Sequence, residues 1–328
     1  MLNKEQILDK LNELELEKNE FVVSMGSSLV MHNIKKETNN INISISSDSF
    51  SRLKQKYNSI YENNIEIIKY DVFEINNLDL NIKKELIDDY YCQDLESIMS
   101  TKKELNRKKD IKDIKAIDVY LCSLDNMRYE KELYKNNITL IAGVDEVGRG
   151  PLIGPVVASA VILPKDYVLK GLTDSKKLSE KKRDYYYDII KKDALAIGIG
   201  VIDNNIIDEI NIYEATKLAM KEAINNLSIK PEHILIDAMK LDIDIPTTSI
   251  IKGDFKSQTI AAASVIAKVT RDKMMYELDK EYPEYNFKNN KGYPTKDHLD
   301  AIEKHGILKQ HRNSYGPVRD YIEKYNNK

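Results

Sequence analysis

The chain has 328 residues, 42% of them hydrophobic and 31% charged, and its net charge is -3. That balance suits globular domains with real cores; it excludes a disordered chain and any general pull toward nucleic acid by overall charge. The two cysteines, Cys92 and Cys122, lack zinc-ligand spacing and read as reduced thiols of a cytoplasmic protein; no secretion signal or bilayer-spanning apolar run is found, so no membrane association is expected.

Residues 3–19 read as a charged helix with Leu8, Leu11 and Leu14 on one side. Phe21-Val-Val-Ser-Met-Gly predicts a strand that breaks at Gly26 into a helix, and the alternation in Ile41-Asn-Ile-Ser-Ile-Ser predicts a half-buried strand. A helix from Ser49 to about Glu62, a strand over Ile65–Phe73 and helix over residues 91–118 complete a small α/β domain, placed at 1–125. Residues 126–137 are charged, end in Asn136-Asn137 and read as a linker.

A second domain, 138–328, opens with an apolar strand ending in two adjacent acids, Asp145 and Glu146. The turn after them holds Gly148, Arg149 and Gly150. Unpaired acids are costly in a buried sheet, but they make sense where a hard cation sits. Val156-Val-Ala-Ser-Ala-Val-Ile-Leu follows a short glycine-rich link, which predicts antiparallel pairing with the first strand. Ser179 stands where a helix cap belongs, and a further cap is expected near Asn211 ahead of a helix over Tyr213–Leu227. Strands are predicted over Ala196–Ile202, His233–Asp237 and from Thr247, and a long helix from about Ser257 to Lys280. Three successive strands, then alternating helix and strand, indicate a mixed α/β sheet flanked by helices.

On the long helix, Ser264, Lys268 and Asp272 are spaced i, i+4, i+8 and share a face. Alone, Asp272 reads as a solvated acid paired with Lys268, and Asp237 as a strand-end acid. With Asp145 and Glu146 they make a set that suits two divalent ions roughly 3.5–4 Å apart, the arrangement of in-line phosphoryl displacement.

The second half resembles ribonuclease HII. The matching runs are Gly143-Val-Asp-Glu-Val-Gly-Arg-Gly-Pro, Asp174-Ser-Lys-Lys-Leu, Leu235-Ile-Asp, Lys252-Gly-Asp, Ala262-Ala-Ser-Val-Ile-Ala-Lys-Val-Thr-Arg-Asp, Gly292-Tyr-Pro-Thr and His311-Arg-x-Ser-Tyr-Gly-Pro-Val. The resemblance implies an RNase H-like mixed sheet and a metal-dependent endonuclease using Mg2+ or Mn2+. Its substrates would be RNA/DNA hybrids and duplex DNA carrying embedded ribonucleotides, cut to a 3′-hydroxyl and a 5′-phosphate. It further implies that Asp145, Glu146, Asp237 and Asp272 are the metal-binding carboxylates. Asp145 would be shared, with Asp272 on one ion and with Glu146 and Asp237 on the other. Gly148, Arg149 and Gly150 match a segment that senses the ribose 2′-hydroxyl, and Tyr293 a tyrosine that packs on the downstream sugar. Lys176, Lys177, Lys268, Lys291 and Arg312 are candidates for phosphate contact, although a lone lysine is more often simply solvated. The family usually has glycine after the third acid, where this chain has Ala238.

The first half resembles the minimal nucleotidyltransferase fold, with its turn at Gly26-Ser27-Ser28 and a late segment Lys103…Arg107-Lys108-Lys109-Asp110…Asp113. The two aspartates expected on the second strand are Asn40 and Asn42, which implies an inactive accessory domain; an unrelated small α/β domain is the alternative. The competing functions are a hybrid-binding protein with little turnover and a bifunctional fusion with nucleotide transfer. No segment resembles a zipper, and a monomer is expected.

Overall fold

The computed structural model describes residues 1–14, 16–62, 65–77, 82–172 and 175–326. They fall into two compact units, Met1–Leu121 and Cys122–Lys328.

In the first unit, β1 (Phe21–Val23), β2 (Ile41–Ile45), β3 (Ser59–Glu62), β4 (Ile65–Tyr70), β5 (Phe73–Asn76), β6 (Lys84–Ile87) and β7 (Tyr90–Gln93) form one sheet, ordered β3-β4-β5-β2-β1-β7-β6. Helices α1 (Lys4–Asn12), α2 (Met25–Met31), α3 (Ser47–Lys54), α4 (Leu95–Leu105) and α5 (Ile111–Leu124) accompany it. Phe21, Val23, Ile41, Ile43 and Ile45 on the central strands make its core. Three expectations are corrected. The first helix stops at Asn12 rather than running to residue 19. Residues 59–62 form a strand rather than the end of a helix, because Ile60 and Tyr61 pair with Ile67 and Glu66 across a hairpin. Residues 91–93 belong to β7, and the helix expected over 91–118 is broken at Asn106, which takes a left-handed conformation (φ 46°). Its polar segment is no solvated face. Lys102 is buried and donates to Asp110 at 2.6 Å and to Asp113 at 3.0 Å, tying α4 to α5.

The second unit starts with α6 (Arg128–Lys135), then β8 (Ile141–Val147), β9 (Val156–Ile162), α7 (Glu180–Asp193), β10 (Ala196–Ile202), α8 (Asn204–Asn225), β11 (His233–Asp237) and β12 (Thr247–Ile250). It continues with α9 (Gly253–Lys256), α10 (Gln258–Glu281), α11 (Phe287–Asn290), α12 (Lys296–His305) and α13 (Gly316–Asn326). The sheet order is β10-β9-β8-β11-β12, which puts β8 in the middle. β9 pairs antiparallel with β8, as expected from the short link, and β11 is parallel to both β8 and β12. One apolar layer joins Val144, Ala158 and Ile234 of the sheet to Ala215 and Ala219 of α8. Another joins Val161 to Ala262 and Val265 of α10 and Ile190 of α7. Gly198 and Gly200 let α8 lie directly on β10, since a Cβ on either would come within 2.0 Å of a helix carbonyl. Ser179 caps α7, and Asn211 (φ 69°) kinks α8 and caps its second part. The stretch expected as a linker is instead structured. Its helix α6 packs Tyr129, Leu133 and Tyr134 on Ile141, Leu235, Ile250 and Ile260, so it belongs to this unit.

Beyond the sheet, a small apolar cluster of Leu152, Ile153, Tyr285, Phe287 and Val318 surrounds two fully buried histidines. Leu308 N donates to His311 Nδ1 at 2.8 Å, so the other ring nitrogen of His311 carries the proton and donates to His298 Nε2 at 3.2 Å. His298 Nδ1 then donates to the Tyr293 carbonyl at 3.0 Å. Every ring nitrogen is used in the neutral state. Burial, helped by His298, lowers the His311 pKa to about 3, and burial lowers that of His298. An unfolded histidine takes up its proton near pH 6.5 and the folded pair does not, so stability is full above that pH and falls as pH drops from about 6.5 toward 3. Thermal unfolding followed from pH 7.5 to 5 should show this loss, with His311→Gln flattening it; the same slope in that variant would contradict the assignment.

Candidate active site

Parallel pairing sets Val144 of β8 beside Ile236 of β11, so Asp145 and Asp237 follow side by side at the carboxyl ends of adjacent strands. That edge is where open α/β sheets bind ligands. Asp145 is only 4% exposed, and Asp272 on α10 only 5%. Burial, then the nearby Glu146 and Asp237, push the Asp145 carboxyl well above the ordinary carboxylate range; a hydrogen bond with Ser264 opposes them. Glu146 is raised too, by burial first, with Arg149 opposing at 3.4 Å. Its Oε2 is buried without a hydrogen-bond partner.

The other two acids are occupied by the chain itself. Lys268 Nζ donates to Asp272 at 2.6 Å, Arg183 lies 4.0 Å from it, and Gly253 N donates to Asp237 at 2.7 Å. Among the described residues no three His, Cys, Asp or Glu side chains are grouped as ligands of one ion. The donor chemistry nevertheless fits a hard divalent cation: oxygen ligands only, partly desolvated, mutually repelling, one oxygen orphaned. A fifth acid, Asp254, also raises the Asp145 pKa. The run Lys252-Gly-Asp carried that signal, but Asp254 reaches the site only because α9 folds back under Asp237.

The expected substrate residues gather around these acids. Gly148 (φ 95°) is buried, whereas Arg149 and Gly150 are exposed. A Cβ on Gly150 would meet Tyr293 Cε1 at 3.2 Å, so the tyrosine ring stands against the glycine loop. Lys176 acts on Glu146, and Lys291 is near Asp272, over the Tyr276 ring at 3.8 Å. Lys177 stands over the Phe255 ring at 5.4 Å. Asp174, from the same run as these two lysines, lies outside the described residues.

Arg312 is not a phosphate contact. It is fully buried and donates to the carbonyls of Gly148 (2.7 Å), Arg149 (3.2 Å) and Gly154 (2.8 Å). Arg271, given no role by the sequence, does the same from the other side, donating to Ile153, Pro155 and Lys291 carbonyls at 3.1, 3.0 and 2.9 Å. Two buried guanidiniums therefore satisfy the carbonyls of Gly148, Arg149, Ile153, Gly154 and Pro155 in this loop. Burial lowers the Arg271 pKa to about 10.

In the first unit, Asn40 and Asn42 both donate to Glu74 on β5, at 2.5 and 2.8 Å. A Cβ on Gly26 would sit 3.8 Å from Asn42 Oδ1, so the expected turn and the strand do meet. The Glu74 carboxylate is taken up by two amides.

A sequence-family model described as ribonuclease HII matches residues 142–318. The ribonuclease HII of Bacillus mycoides (strain KBAB4) is 60% identical over 201 residues, 61% of this chain and 78% of that protein. That of Bacillus cytotoxicus is 58% identical over 200 residues, 61% of this chain and 77% of its own length. Among solved structures, the ribonuclease H2 from Pyrococcus horikoshii OT3 is similar over 57% of this chain and 99% of its own, with a TM-score of 0.51 and 26% identity. The second unit thus has an RNase H-like fold.

Ala238, next to Asp237, takes φ 49°. A Cβ in the left-handed region costs about 1–2 kcal/mol. Ala238→Gly should therefore stabilise the chain by about 1 kcal/mol, part of the relief being offset by the entropy of an unfolded glycine. The midpoint of urea unfolding measures it, and a midpoint that is unchanged or lower would contradict the strain.

Proposed function

The chain belongs to the ribonuclease HII family and is a divalent-metal-dependent type 2 ribonuclease H, and we propose that it nicks the RNA-containing strand 5′ of ribonucleotides, including single ones embedded in duplex DNA. The observation that carries the reading is the crowding of Asp145 with Glu146 and Asp237, with one Glu146 oxygen left without a partner. Asp145, Glu146, Asp237 and Asp272 are the residues that would hold two ions, Mg2+ or Mn2+. When bound, such ions supply Lewis-acid activation of water and stabilise charge on the departing 3′ oxygen.

The chain's own side chains do the rest. Gly148 and Gly150 let backbone approach the sugar, and the 2′-hydroxyl is what separates RNA from DNA there. Tyr293, against Gly150, closes the sugar pocket on its downstream side. Arg149, Lys176 and Lys268 hold phosphate and fix the register of the strand. Lys268 also keeps Asp272 paired until substrate draws the lysine away. The products are a 3′-hydroxyl and a 5′-phosphate. Two buried cysteines and a core built without disulfides support a cytoplasmic setting, and among the described residues no helix is long and apolar enough to cross a membrane. A monomer suffices for this chemistry, because every proposed ligand comes from one chain.

The first unit we read as a transferase-like module without transfer, because Asn40 and Asn42 stand where two ligand carboxylates are needed and spend their amides on Glu74.

The test is cleavage of a DNA duplex containing one ribonucleotide by the full chain in Mg2+ or Mn2+, with an all-DNA duplex as control. Cutting 5′ of the ribonucleotide is expected, and Asp145→Asn should lower kcat about a thousand-fold, equivalent to several kcal/mol of lost charge stabilisation. Tight binding without cutting would favour a hybrid-binding protein, and undiminished cutting by Asp145→Asn would sink the metal-ligand assignment.

A further inference from the structure

Helix α6 lies upstream of the residues matched by the ribonuclease HII model, yet it holds a fully buried acid, Glu130. A buried carboxylate is expensive unless it is well bonded. All of its bonds fall on one oxygen. Glu130 Oε1 accepts from Ser257 Oγ at 2.6 Å, Thr259 N at 3.0 Å and Thr259 Oγ1 at 2.8 Å, while Oε2 is buried without a partner. The Gln258 N–H donates to the Asn126 carbonyl at 2.9 Å. Ser257, the cap of α10, passes its own acceptor on to Ile260 N.

The free N–H groups that open the 24-residue α10 are therefore met by residues 126–130 and by the cap that Glu130 orients. The same point is pinned from the sheet side. A Cβ on Gly143 would fall 2.2 Å from the Thr259 carbonyl carbon, so the start of α10 rests on β8 two residues before Asp145. Tyr129, Leu133 and Tyr134 anchor α6 to Ile141, Leu235 and Ile260. From Thr259, Ser264 is about 7.5 Å and Asp272 about 20 Å along the helix axis. A helix slides as a rod, so an axial shift at Thr259 is carried to both.

We propose that Glu130 is a positioning residue of the nuclease: by fixing the start of α10 against β8, it sets where Asp272 and Ser264 stand relative to Asp145. The inference rests on the reading that Asp145 and Asp272 work together. It also places the beginning of the functional unit before residue 138, since a chain cut there would lose α6 and its acceptor.

The experiment compares full-length wild type, Glu130→Ala, Glu130→Gln and Thr259→Val on the single-ribonucleotide duplex, with kcat and KM separated and Mn2+ varied. A misplacement of about 1 Å costs about a hundred-fold in rate. Glu130→Ala should therefore lose ten- to a hundred-fold in kcat and need more Mn2+, with KM for the duplex little changed. Glutamine retains Oε1 as an acceptor and should restore most of the rate. Thr259→Val, which removes one of the three bonds and keeps the helix, should fall between, and it carries the test if the alanine variant does not fold. Wild-type cleavage with kcat unchanged in Thr259→Val and Glu130→Ala would overturn the positioning role alone. So would equal losses in the glutamine and alanine variants, or a loss confined to KM. Absence of cleavage by the wild type would overturn the proposed function and this inference with it.

Discussion

Carboxylates at the ends of two neighbouring parallel strands repel one another, and much of the second unit is arranged to hold them together regardless. Asp145 is buried on the central strand, with Asp237 beside it and Glu146 next in sequence. Left to themselves, such groups would protonate or turn to solvent. Here the chain supplies Lys268 and Arg183 to Asp272, Arg149 to Glu146 and a backbone amide to Asp237. Under the proposed function, those partners are the ones that substrate phosphates and metal ions would compete with.

Rigidity around the acids comes from buried groups that bond to the chain itself. Arg271 and Arg312 donate to carbonyls of the 148–155 loop, which fixes the glycine turn that runs beside Tyr293. The neutral histidine pair holds the Tyr293 carbonyl. Glu130 holds the start of α10. Backbone strain reaches the site too: Ala238, at a positive φ, lies directly beside a proposed ligand.

In the second unit the five strands and the helices α7, α8 and α10 were legible because they are clearly patterned and bounded by glycine or a capping residue such as Ser179, whereas α6, α9, α11, α12 and α13 were not. The acids were legible because charge at the end of an apolar strand is costly unless a cation or a donor balances it. What escaped were roles that depend on convergence. Arg312 reads as a phosphate contact in sequence, since nothing local shows that carbonyls 158 and 164 residues away will surround it. Glu130 looks like one charge among many in Arg-Tyr-Glu-Lys-Glu, and only the packing of α6 on Ile260 makes it a buried acceptor. In the first unit, the short strands β3, β6 and β7 carry little pattern of their own and are defined by their hairpin partners.

Binding of Mn2+ to the full-length chain, followed by calorimetry without nucleic acid, separates the charge argument from everything that happens to substrate. Wild-type protein should bind the ion, and Asp145→Asn should weaken binding far more than Glu74→Gln in the first unit, where two amides already hydrogen-bond the acid. Equal binding by wild type and Asp145→Asn, or loss of binding only in Glu74→Gln, would contradict a cation site at the ends of β8 and β11.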